Sequence, residues 1–148
     1  MGQLAHDLGP VGPEWEWFRD ELARRLAEPD DRLDDPYLIA EIGAGWEEIG
    51  LLSQADYIKL RRISAAVQRT GGVISDSDLD WSLDVLTDSA QAVVRARVMG
   101  MLGAVGTDVA LPAAQRAKIE AAVAPYVHGP EDLDRQYAAY VLRELRTR

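Results

Sequence analysis

The run DSDLD, Asp76 to Asp80, sets three carboxylates at alternate positions, which is how an EF-hand calcium loop begins. Such a loop needs glycine at its sixth position for the sharp turn and a bidentate glutamate at its twelfth. Trp81 and Thr87 stand there instead. The calcium reading therefore fails, and an acidic first helical turn, favoured by the positive end of the helix dipole, accounts for the run. His6 and His128 are the two imidazoles and cysteine is absent, so the convergent ligands of a zinc site cannot be assembled, nor a thiolate nucleophile. His128, beside Gly129, is better placed to neutralise the carbonyl end of a helix. No glycine-rich phosphate loop follows a strand pattern, and the residues present suggest no Ser-His-Asp set. Carboxylates are so plentiful that a pair of them says nothing about acid-base work. The expectation is a non-catalytic protein, without cofactor or metal.

Charge is the most unusual bulk property, with 25 acidic residues against 16 basic and a formal net charge of -9. That field repels a phosphate backbone, whose neutralisation by Lys and Arg supplies most non-specific nucleic-acid affinity, so nucleic acid is a poor partner. A basic protein is a better one. Acidic residues gather at Glu28, Asp30, Asp31, Asp34 and Asp35 in the segment EPDDRLDDP, and Glu47, Glu48 and Asp56 extend the set. Trp17 and Trp46 fall on helix sides that the apolar stripe does not claim. Tryptophan anchors are enriched in interface hot spots, although an extra packed helix would bury these rings equally well. The candidate partner-binding residues are accordingly Asp30, Asp31, Asp34 and Asp35, with Trp46 as the apolar anchor.

Length and hydropathy bound the elements that must carry these residues. A chain of 148 residues with 47% hydrophobic and 28% charged composition has the size and balance of one globular domain. No signal-peptide pattern opens it and no apolar window approaches the roughly 20 residues that span a bilayer, so neither secretion nor a membrane is expected. The cytoplasm is the expected compartment. All but Lys59 and Lys118 of the basic residues are arginine, a bias typical of GC-rich bacterial genomes.

Punctuation then divides the chain into about seven helices with almost nothing that reads as strand. Prolines at 13, 36, 112 and 130 mark helix starts, where a missing N–H costs nothing. Side-chain caps mark others: Ser53 with Asp56, Ser75 with Asp78, and Asp88 with Gln91. The Gly71-Gly72 pair, Gly106 and Gly129 read as stops. The predicted helices are 13–28, 36–51 with an interruption near Gly43 to Gly45, 54–69, 76–86, 89–105, 112–127 and 130–146. Short loops between them favour antiparallel hairpins.

One unit is used twice. A shift of forty residues places Arg95 on Arg135, Val98 on Ala138, Met101 on Val141, Leu102 on Leu142, Val105 on Leu145 and Leu86 on Tyr126. Self-similarity of that period is the mark of stacked helical hairpins. In LTDSAQAVVRARVMGMLGAVG, the residues Asp88, Val94, Arg95, Val98, Leu102 and Gly103 resemble the pattern of the HEAT repeat family. The second copy keeps Arg135, Ala138, Leu142 and Leu145, but has Asp134 in place of valine and Arg143 in place of glycine. A weaker copy matches at Leu60, Arg61 and Ser64. The resemblance covers about 79–146, extends weakly over 36–70 and does not reach 1–35.

The resemblance implies an all-α fold: a short HEAT-like solenoid over 36–148, preceded by an extra N-terminal helix and an acidic linker over 1–35. It also implies a protein-binding scaffold that presents the second helix of each pair, 54–69, 89–105 and 130–146. A sharper form is an inhibitor or immunity protein for a basic toxin or nuclease, because opposite potentials accelerate encounter. The alternatives are a structural subunit of a larger assembly or a DNA-acting enzyme resembling the HEAT-like alkylpurine glycosylases. The enzyme class is disfavoured by the sign of the charge and the length of the chain. Leu102 and Leu142 are expected in the core, and Arg95 is expected to reach Asp88 or an acidic neighbour across the turn.

Overall fold

A computed structural model describes residues 36–148, and over them the chain is helical, with no strand among the described residues. The helices are α1 (Pro36–Glu48), α2 (Gln54–Arg69), α3 (Asp76–Asp88), α4 (Ala92–Leu102), α5 (Ala113–Val123) and α6 (Asp132–Arg146). A 3-10 turn, Ala124–Tyr126, follows α5. The expected helix at 13–28 and the acidic linker lie outside the described residues. The chain divides after Arg62, within α2, into two compact units.

In the first unit, α1 runs through Gly43 and Gly45 without the expected interruption. Packing outweighs the glycine cost at Gly43, where a Cβ would meet the Tyr57 ring at 3.1 Å and the Gln54 side chain at 3.3 Å. Gly50 ends the helix at φ +75, and the Leu51 N–H reaches the Trp46 carbonyl at 2.9 Å, a Schellman closure. Two side chains then satisfy first-turn donors of α2. Ser53 Oγ accepts from the Asp56 N–H at 3.1 Å, and the Glu47 carboxylate accepts from the Gln54 N–H at 2.6 Å. Gln54 in turn donates to the Ala40 carbonyl at 3.1 Å, tying α2 back to α1.

The second unit holds α3 to α6. Ser75 caps α3 by accepting from the Asp78 N–H at 3.1 Å. Leu79, Ser82 and Leu86 form the inward face of α3, with Leu83 half-buried beside them. The central helix is α4, in which Val93, Val94, Ala96, Val98, Met99, Met101 and Leu102 are all buried. Apolar residues all round its circumference are what a helix enclosed by neighbours requires. Helices α3 and α4 pack together, as do α5 and α6; across the two pairs, α3 meets α5 and α4 meets α6. First helices thus lie on first helices, and second on second.

Polar contacts repeat with the same period. Arg95 donates from Nη1 to the Ser89 carbonyl at 2.8 Å, and forty residues on Arg135 does the same to Gly129 at 2.6 Å. The Tyr126 hydroxyl donates to the carbonyl of Leu86, its forty-residue counterpart, at 3.2 Å. Small residues let α4 and α6 approach: a Cβ on Gly103 would fall within 2.7 Å of the Tyr140 ring, and one on Gly100 within 3.4 Å of Tyr137. Two loops are joined backbone to backbone. Gly106 N–H bonds to the Gly72 carbonyl at 2.9 Å, and Asp108 N–H to Gly71 at 2.7 Å. At Gly72, with φ +109, a Cβ would meet Thr107 N at 2.6 Å and the Ala104 carbonyl at 2.8 Å.

Several boundaries differ from those expected. Asp88 is the last residue of α3 instead of a cap on the next helix; Ser89 Oγ accepts from Gln91 N–H at 3.2 Å in the turn, and α4 begins at Ala92. Helix α5 starts after Pro112, not on it. Helix α6 starts at Asp132, after the irregular residues Gly129 to Glu131, where Arg135 donates to the Gly129 carbonyl. Leu102 is fully buried, but Leu142 is only half-buried. The inward positions of α6 are Asp134, Ala138, Val141 and Leu145, a stripe that passes Leu142 on one side.

Candidate functional site

Helix α3 carries one ridge of a single chemical type. Asp76, Asp80, Asp84 and Asp88 recur every four residues, all exposed, along a row that winds away from buried Leu79 and Leu86 towards the C-terminal end. Residues at that spacing are neighbours on a helix surface, so the four carboxylates share one field. Helix α5 moderates half of it. Gln115 donates from Nε2 to Asp76 at 3.0 Å and to the Ile74 carbonyl at 2.9 Å, while Lys118 pairs with Asp80 at 2.9 Å. The hydrogen bond that Lys118 donates to Asp80, reinforced by the carboxylate's charge, holds the ammonium above its ordinary pKa.

The other half of the ridge, Asp84 and Asp88, runs to the carbonyl end of α3. Asp88, in the last turn, opposes the helix dipole there at about 0.3–1 kcal/mol. Like α1, α4 and α5, α3 has no basic residue in its last turn, whereas α2 ends with Arg69 and α6 with Arg143 and Arg146. This end of α3 is charged against its own stability. A cation from outside the chain would be favoured both by the carboxylates and by the dipole.

A second charged cluster is internal. Asp134 is buried, and Arg95 grips it from Nε at 2.9 and 3.2 Å and from Nη2 at 2.9 Å. The Arg95 guanidinium also stands 5.6 Å from the centre of the Tyr126 ring. Its hydrogen bond to Asp134 raises its pKa, against the opposing pull of burial. The partner expected for Arg95 was Asp88 or an acid across the same turn; the observed partner belongs to the next hairpin. Asp134, which departs from the repeat pattern at a valine position, is that partner.

Of the sequence-predicted site residues, Asp30, Asp31, Asp34 and Asp35 lie outside the described residues, as does Trp17. Trp46 is 1% exposed, its ring centre 5.2 Å from that of Tyr57. It is a core residue of the first unit, and a buried ring offers no surface anchor. The stripe drawn from the sequence omitted it, yet the space left by Gly43 brings the Tyr57 ring to that side of α1. Glu47 and Glu48 are exposed and Asp56 is half-buried. Reading DSDLD as the acidic first turn of a helix stops short of the α3 ridge; the signal for it is the four-residue spacing that continues through Asp84 and Asp88. His128 is exposed after the 3-10 turn. Among the described residues, no group of three or more His, Cys, Asp or Glu is placed to hold a metal ion, and no helix is long and apolar enough to cross a membrane. Compared with protein-family models, with curated proteins and with solved structures, the chain matches none.

Proposed function

We propose that the chain is a short HEAT-like stack of helical hairpins acting as a non-catalytic scaffold for a basic protein partner, with Asp84 and Asp88 at the centre of the contact. The stack is supported by first-on-first and second-on-second packing of α3 to α6 and by backbone-directed arginine bonds that recur at forty residues. The observation that carries the partner's chemistry is the acidic carbonyl end of α3, where the sequence forgoes the favourable basic residue. With a net charge of -9 behind it, this ridge attracts a cationic surface over distance and repels nucleic acid. The sharper form is an inhibitor or immunity protein that masks a basic toxin or nuclease. Asp30, Asp31, Asp34 and Asp35 are proposed as partner-binding residues separately, on their charge alone.

Affinity capture from the native lysate at about 0.05 M salt, with Asp84→Lys/Asp88→Lys run alongside the natural sequence, tests the reading. Mass spectrometry is expected to find a basic protein held by the natural sequence, released at about 0.5 M salt and absent from the variant. The same proteins on both chains, at either salt, would overturn it.

A further inference from the structure

No further inference is drawn: the strongest candidate, the ridge of Asp76, Asp80, Asp84 and Asp88 along α3, belongs to the surface already proposed and is an acidic cluster at which no second observation points to a particular ligand.

Discussion

Arg95 and Asp134 join the two hairpins of the second unit through a buried pair, the carboxylate held by both Nε and Nη2 while Nη1 stays on the Ser89 carbonyl of its own turn. Side-chain exposures of 11% and 3% put the pair beyond the screening that makes surface ion pairs weak. Removing one partner strands the other charge away from water. Arg95→Ala and Asp134→Ala are each expected to cost about 3–5 kcal/mol in denaturant unfolding, and the double variant clearly less than their sum. Additive losses would show that the two residues act separately. The sign of the Arg95 shift is upward, so, with Asp134 ionised, its share of stability is present at neutral pH and is lost only as pH rises through an already high value. Raising the pH from about 6 to 9 should therefore leave the Arg95→Ala penalty attributable to the guanidinium unchanged.

Tyr140 occupies the space a side chain at Gly103 would need, which is the steric reason for glycine at that position. Gly103→Ala forces the ring or α6 itself to move and is expected to lower stability by about 1–3 kcal/mol. Adding Tyr140→Ala should make the Gly103 substitution nearly harmless relative to Tyr140→Ala alone, measured by the same unfolding midpoints.

Two other glycines should respond in opposite directions. A Cβ at Gly45 meets nothing within 4 Å in the middle of α1, so Gly45→Ala is expected to stabilise by about 0.5–1 kcal/mol. Gly72 combines φ +109 with backbone atoms of the 104–107 segment pressed against the missing Cβ, and Gly72→Ala should destabilise by more than about 2 kcal/mol. A thermal melt of the two variants checks both signs.

Leu102 and Leu142 occupy matching places in the forty-residue repeat but not matching environments. Leu102→Ala is expected to cost about 2–5 kcal/mol through a cavity, whereas half-buried Leu142→Ala should cost under about 1.5 kcal/mol. Equal penalties would mean that Leu142 is as enclosed as its counterpart.

That difference shows what a single sequence can carry. The elements of the hairpins were legible because apolar positions recur at helical spacing and Gly71, Gly72 and Gly106 bear positive φ where stops were expected. Long-range polar choices were not. A capping motif at Asp88 and Gln91 fits equally well as the end of one helix or the start of the next, and only packing decides. Arg95 has acids available nearby in sequence, yet its partner lies 39 residues away, in a helix whose rotation sets Asp134 inward and Leu142 partly outward. Trp46 illustrates the same limit, since a ring left off one stripe is free to join another once Tyr57 folds back against it. The acidic ridge of α3 was legible in spacing, but its meaning depended on where the helix ended.

Electrostatic recruitment by that ridge is tested most directly by stopped-flow association with the captured partner as salt rises from about 0.05 to 0.5 M, over which the Debye length falls below about 5 Å. The association rate is expected to drop at least about tenfold with little change in dissociation, and Asp84→Lys/Asp88→Lys should start slow and lose most of that salt dependence. An association rate indifferent to salt, or equal in the variant and the natural sequence, would contradict the account.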